Sequence, residues 1–136
     1  MISFLLVLGG ILQSSFGQVS VCDLCQTQVN TINQFDFGTS NGFKSIGFQA
    51  NFSGSPYCQG LGVEWATSAS YASITPDGEW CRIDFPQLKG LGGLGGFGGN
   101  IVQVCCTYSQ WRDTNLNGIQ DPWDICRKTL CINVNL

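Results

Sequence analysis

The chain has 136 residues, with 8 cysteines, 18 glycines and no histidine, and its formal net charge is −3. This length suits one domain, and the slight acidity disfavours nucleic acid or an anionic membrane surface as a partner. The lack of histidine excludes Ser–His–Asp and Cys–His catalysis and zinc sites with imidazole ligands.

The N-terminal segment is typical of a signal peptide. Residues 4–12 form an uncharged apolar stretch, which is too short for a membrane span of roughly 20 apolar residues. Ser15 and Gly17 place small residues before a cut after residue 17, as a signal peptidase requires. We therefore expect a signal peptide over 1–17 and a secreted, extracellular product over 18–136 that has no membrane span.

The expected mature chain carries every cysteine, and an even count behind a signal peptide predicts a disulfide framework. The adjacent Cys105 and Cys106 are poorly placed to bridge each other; on a strand they would point to opposite faces and staple two layers. A thiolate metal site is the weaker alternative in a secreted chain. The sequence leaves the pairing open among the expected disulfide residues Cys22, Cys25, Cys58, Cys81, Cys105, Cys106, Cys126 and Cys131.

Hydrophobic periodicity predicts strands for most of the chain. Apolar residues recur at three- to five-residue steps from Val21 to Phe35, which predicts one short helix there. A period of two then marks 46–52, 81–85 and 102–108, and Pro76-Asp77-Gly78 predicts a turn. We therefore expect an all-β or β-rich small secreted domain with a disulfide framework and a short N-terminal helix.

A glycosylation sequon and a glycine-rich segment are expected at the protein surface. Asn51-Phe52-Ser53 is a glycosylation sequon on the polar side of a predicted strand, which makes Asn51 a candidate glycosylation site. Residues 90–99 repeat an apolar residue followed by Gly-Gly, a composition typical of a flexible loop, with self-association as the alternative. The segment formally matches G-x-G-x-x-G, but no strand-to-helix context accompanies it, so a dinucleotide site is not expected.

Oxygen-bearing side chains stand at every second residue near the C-terminus, and a glycine and two more carboxylates follow them. Ca²⁺ prefers six to eight oxygen ligands, and a chain that curls around the ion offers alternate side chains to it. The structural alternative is a solvated Asn/Asp/Gly turn. The pattern predicts a calcium-type loop over 113–124, with Ca²⁺ as cofactor and Asp113, Asn115, Asn117, Ile119 (through its carbonyl), Asp121 and Asp124 as metal ligands.

The segment over 113–126 resembles a thrombospondin type 3 repeat, whose pattern alternates Asp or Asn before Gly, Val or Ile, two Asp and a Cys. It is also similar to an EF-hand loop, although Pro122 interrupts it and a predicted strand precedes it. The resemblance implies that the loop wraps Ca²⁺ and that Cys126 forms a disulfide. Trp123 stands where the family often has a second cysteine. The low ligand charge predicts a dissociation constant of roughly 10⁻⁴ to 10⁻³ M.

Together these features favour a non-enzymatic, secreted structural protein of an extracellular matrix, associated with a mineralised matrix such as a shell or skeleton. Its partners would be matrix components or a mineral surface. The alternative is a secreted carbohydrate- or protein-binding module that uses exposed Trp and Tyr. A glycosidase is less favoured: Glu64 and Glu79 are the only glutamates, each beside a tryptophan. A toxin is also less favoured, because most membrane-active toxins are cationic.

Overall fold

The computed structural model describes residues 20–87 and 101–136, and these residues form two antiparallel β-sheets and a short helix. The expected signal peptide over 1–17 and the glycine-rich segment over 90–99 lie outside the described residues. No helix in the described ranges is long and apolar enough to cross a membrane. The elements in chain order are α1 (Val21–Cys25), β1 (Gln28–Ser40), β2 (Phe43–Ser53), β3 (Gln59–Thr67), β4 (Ser73–Asp77), β5 (Trp80–Pro86), β6 (Ile101–Trp111), a 3₁₀ turn (Pro122–Asp124) and β7 (Ile125–Asn135).

The two sheets face each other as a sandwich. The first sheet has the strand order β1-β2-β5-β4, and the second has the order β3-β6-β7. Strand β1 lies near β7 and β3 lies near β4, so the sheets are stacked along their length. The predicted β-rich domain with a disulfide framework is confirmed.

The core forms where the inner faces of the two sheets meet. Strands β2, β5 and β6 bury alternate side chains, as the period of two predicts. Removing one large side chain such as Phe48 from water contributes about 1.5–3 kcal/mol. The main cluster joins Ile46, Phe48, Cys81, Ile83 and Phe85 of the first sheet to Val102, Val104 and Val134 of the second.

The predicted helix is present but much shorter than the periodicity indicates. Ser20 caps α1 by accepting a hydrogen bond from the Cys22 backbone, and Gln26 ends the helix with a left-handed φ of 49°. The chain then continues as β1. A β-bulge after Val29 inserts one residue, so Val29 and Ile32 both pack against the same core cluster although they are three positions apart. This bulge explains why apolar residues of a strand are spaced as they would be in a helix.

Within residues 20–87 and 101–136, three disulfides are formed, Cys22–Cys126, Cys25–Cys58 and Cys105–Cys131. The first two tie α1 to the rest of the domain. Cys105 and Cys106 point to opposite faces of β6, as predicted, but the Cys105 bridge joins neighbouring strands of one sheet rather than two layers. Cys81 and Cys106, which the sequence analysis also assigned to bridges, are free and buried. In the described sheets Cys81 is paired in register with Phe48 and Pro76. Cys106 is paired with Trp65 and Leu130, so neither has a cysteine beside it on a neighbouring strand.

Candidate functional site

The outer surface of the first sheet carries a cluster of exposed aromatic side chains, which we call the aromatic face. Phe35, Phe37 and Trp80 are 41%, 61% and 45% exposed. They lie around Gly47 and Arg82 on three neighbouring strands, β1, β2 and β5. Large apolar side chains that gather on an exposed surface often mark a binding site.

Gly47 is the residue that allows this cluster to form. In the register of the sheet, Gly47 of β2 lies between Phe35 of β1 and Arg82 of β5. The ring of Phe37 covers the Gly47 backbone, since a Cβ at Gly47 would lie 2.6 Å from it. Phe35 meets Trp80 with ring centroids 5.8 Å apart. Aromatic residues of β1 therefore reach across β2 to the side chains of β5.

Charged and polar groups border the aromatic face, and they are paired with one another. The Arg82 Nε donates to Asp84 at 3.1 Å, and the Arg82 guanidinium lies 6.0 Å from the Phe37 ring centroid. Ser45 donates a 2.5 Å hydrogen bond to Asp84. This hydrogen bond is the main cause that holds the pKa of Asp84 below its ordinary value, and Arg82 adds to it.

A shallow recess of about 330 Å³ opens beside the rings. Nearby, Gln49 donates a 3.0 Å hydrogen bond to the Glu79 carboxylate. An apolar surface with a few polar groups at its edge is the usual composition of a small-ligand site. The recess is lined by Phe37, Gly47, Thr75, Asp77, Trp80, Cys81 and Arg82.

The aromatic face does not follow from the hydrophobic periodicity, because the apolar spacing from Val21 to Phe35 predicts a helix that includes Phe35. A signal for it is present in the strand patterns. Gly47 and Trp80 occupy positions where the alternation of β2 and β5 places polar residues. Phe35 and Phe37 are two residues apart, which puts them on one side of a strand.

The calcium-type loop over 113–124 is held by hydrogen bonds from its own backbone. The Asp113 carboxylate accepts from the amides of Asn117 and Gly118, at 3.1 and 2.5 Å. The Asn117 side chain accepts from Ile119 and donates to Asp121. Gly118 has a φ of 74°, a left-handed conformation that glycine adopts without strain. Four of the predicted ligands, Asp113, Asn117, Ile119 and Asp121, therefore belong to one hydrogen-bonded turn.

Asp124, another predicted ligand, is turned away from solvent. It is fully buried, and one carboxylate oxygen accepts hydrogen bonds from the amide and hydroxyl of Thr114. Its second oxygen has no hydrogen-bond partner among the described residues. Asn115 is exposed. In the part of the chain that the structure describes, no three Cys, Asp or Glu side chains are grouped closely enough to hold a metal.

The remaining candidate residues lie apart from one another. Glu64 is on β3 of the second sheet, whereas Glu79 is in the β4–β5 turn of the first sheet. The two glutamates therefore do not form a carboxylate pair. Asn51 is exposed on β2, and its amide donates a 3.1 Å hydrogen bond to Thr31.

Comparisons of the chain with protein-family models, curated proteins and solved structures found no match.

Proposed function

We propose that the protein is a secreted, non-enzymatic binding module that engages carbohydrate through the aromatic face. The observation that carries the proposal is the exposure of Phe35, Phe37 and Trp80, which gather around Gly47. The three bridges suit an oxidising, extracellular setting. This surface favours a binding module over a purely structural matrix component.

Carbohydrate is the partner that the chemistry of this surface matches best. Aromatic rings offer large, rigid contact area to the apolar faces of sugar rings, and polar side chains at the edge bind hydroxyl groups. At the border, Arg82 is already paired with Asp84 and Glu79 with Gln49, and Asp77 adds a further carboxylate to the recess. A neutral sugar leaves these pairs intact, whereas a strongly charged ligand would have to compete with them.

A pull-down on insoluble neutral polysaccharides tests this proposal. Chitin, cellulose and xylan serve as probes, and retention is measured for the wild type, Trp80→Ala and Trp123→Ala. Trp123 is the matched control, because it is 64% exposed but lies in the 3₁₀ turn, away from the aromatic face. We expect retention on at least one probe, a loss of about tenfold for Trp80→Ala, which corresponds to roughly 1.4 kcal/mol, and no change for Trp123→Ala. Failure of all three probes, or equal losses in both variants, would contradict the proposal.

A second candidate function is calcium binding by the loop over 113–124, in a matrix or at a mineral surface. The observation that favours it is the buried Asp124 oxygen without a partner among the described residues, because a buried unpaired carboxylate oxygen is costly. The donor chemistry fits a hard cation, since every candidate ligand is an oxygen. The ion would have to draw its ligands closer together, because no three acidic side chains are grouped in the described part of the chain. The ligands would be the side chains of Asp113, Asn115, Asn117, Asp121 and Asp124 and the Ile119 carbonyl.

Thermal unfolding with and without CaCl₂ tests the calcium proposal. At a calcium concentration about ten times a millimolar dissociation constant, binding stabilises the folded state by about 1.4 kcal/mol, which raises the melting temperature by roughly 3–6 °C. Asp113→Asn with Asp121→Asn should abolish this rise. Asp23→Asn is the control, because Asp23 lies on α1. An unchanged melting temperature in the wild type, or an equal rise with MgCl₂, would count against a calcium site.

A further inference from the structure

Cys81 and Cys106 lie in the same part of the core, on opposite sheets. Cys81 is on β5 beside Phe48 in register, and Cys106 is on β6 beside Trp65. The rings of Phe48 and Trp65 lie close to each other between the two sheets, with centroids 6.3 Å apart. Trp65 also packs against the core cluster of each cysteine. The two thiols therefore flank one aromatic pair, each from its own sheet.

We propose that Cys81 and Cys106 form a fourth disulfide, which joins the two sheets through the core. None of the three bridges already formed among the described residues does this, because two involve α1 and the third joins β6 to β7. Both cysteines are protected from other thiols, with 3% and 0% of their surface exposed. Immunoglobulin-type sandwiches accommodate an inter-sheet bridge packed against a tryptophan, and the partly buried Trp65 packs against the core clusters of both cysteines here.

The oxidation requires an electron acceptor, and a small-molecule disulfide such as oxidised glutathione supplies it. One cysteine thiolate attacks a sulfur of this disulfide, which breaks its S–S bond and releases one small thiol. The second cysteine then displaces the other small thiol from the mixed disulfide. The two cysteines lose two electrons and two protons, the Cys81–Cys106 bond forms, and the oxidant is reduced to two thiols.

The bridge must form before the sheets close on each other. Burial raises the pKa of Cys81 to about 12, with the neighbouring Cys106 as a second cause, and burial raises the pKa of Cys106 to about 11. The thiolate is the reactive form, so both groups react slowly once the core is complete. Oxidation during folding in the secretory pathway meets this condition, because the thiols are then still accessible.

Counting free thiols in the secreted protein tests the proposal. The full chain is secreted from eukaryotic cells, denatured without reductant and treated with iodoacetamide, and tags are located by mass spectrometry. We expect no tag on any cysteine and a peptide that links Cys81 to Cys106. Tags on both cysteines overturn the proposal, and so does a link from either one to a different cysteine.

A single substitution makes the count decisive. If the bridge exists, the wild type carries no tag and Cys81→Ser carries one, on Cys106. If both thiols are free, the wild type carries two tags and Cys81→Ser carries one, and this result overturns the proposal. Cys105→Ser is the control, because it should add one tag on Cys131 in either case. The count is made on denatured protein, so a variant that folds poorly still reports its pairing.

Discussion

The aromatic face and the loop over 113–124 both expose large apolar side chains, but different interactions hold them in place. The face rests on β2 and β5, whose other side is the core, with Phe48 fully buried on β2 next to Gly47. Phe35 and Phe37 lie on the exposed end of β1, next to a β-bulge, and pack over these strands. The loop presents Leu116, Ile119 and Trp123 on a framework of hydrogen bonds between its own polar side chains and backbone.

This difference indicates how each region would meet a ligand. A platform fixed by strand pairing, with core packing beneath β2 and β5, loses little conformational entropy on binding, which suits stacking against a sugar. A loop held by local hydrogen bonds opens at a lower free energy than the core does, which suits an ion that replaces those bonds. Substitutions beneath the face should therefore affect the whole domain, and substitutions in the loop should act locally.

The largest effect is expected for Phe48→Ala. Phe48 is fully buried and packs against Trp65 of the opposite sheet, so its truncation leaves a cavity between the sheets. We expect the free energy of unfolding to fall by about 3–5 kcal/mol, measured by urea denaturation. Phe43→Ala is the control on the same strand, because Phe43 is 40% exposed; it should cost about 0.5 kcal/mol or less. An equal decrease in the free energy of unfolding for the two variants would contradict the assignment of Phe48 to the inner side and Phe43 to the outer side of β2.

The inner side of the sandwich could be predicted from the sequence because burial enforces alternation. Ile46, Phe48, Ile83 and Phe85 all lie in the core cluster, as the period of two requires. The outer side could not be predicted in the same way. Whether Phe35 meets Trp80 depends on the register between three strands, and local sequence does not fix that register.

The end of the helix and the disulfide partners also could not be predicted from the sequence pattern. The bulge after Val29 gives β1 a three-residue apolar spacing, which a periodicity argument assigns to a helix. Disulfide pairing depends on which strands become neighbours, so Cys105 could not be matched to Cys131 before the sheet order was known. The turn chemistry of the loop was recognisable, but the burial of Asp124 was not, because it follows from the tertiary position of the 3₁₀ turn.

A smaller and more local effect is expected for Asp124→Ala. The substitution leaves the Thr114 amide and hydroxyl without their acceptor, which should lower the free energy of unfolding by about 1–3 kcal/mol. Asp124→Asn keeps one carbonyl oxygen for Thr114 and should cost less. Hydrogen exchange checks where the effect falls: the Thr114 amide should exchange faster and the Gly47 amide should not. Faster exchange at both amides would show that the loop and the aromatic face are coupled.

The smallest effect concerns the charged border of the aromatic face. The pKa of Asp84 lies below its ordinary value of 3.8, chiefly because Ser45 donates a hydrogen bond to the carboxylate. A lowered folded-state pKa means that this interaction stabilises the fold above pH 3.8 and that the stabilisation is lost as the pH falls through the folded-state pKa. Ser45→Ala should therefore raise the pKa of Asp84 towards 3.8, measured by carboxyl NMR titration.

Ser109→Ala provides the control for this titration, because Ser109 lies on β6 of the second sheet. It should leave the Asp84 titration curve unchanged. If Ser45→Ala also fails to move the curve, then Arg82, which lies 3.1 Å from Asp84, is the group that lowers its pKa. In that case an ion pair between Arg82 and Asp84 holds the border of the aromatic face. Salt weakens such a pair, so the contribution of the border to ligand binding should decline as the ionic strength rises. A shifted curve instead assigns the border to a hydrogen bond that salt leaves in place, as in the calcium-type loop, where backbone amides hold the Asp113 carboxylate.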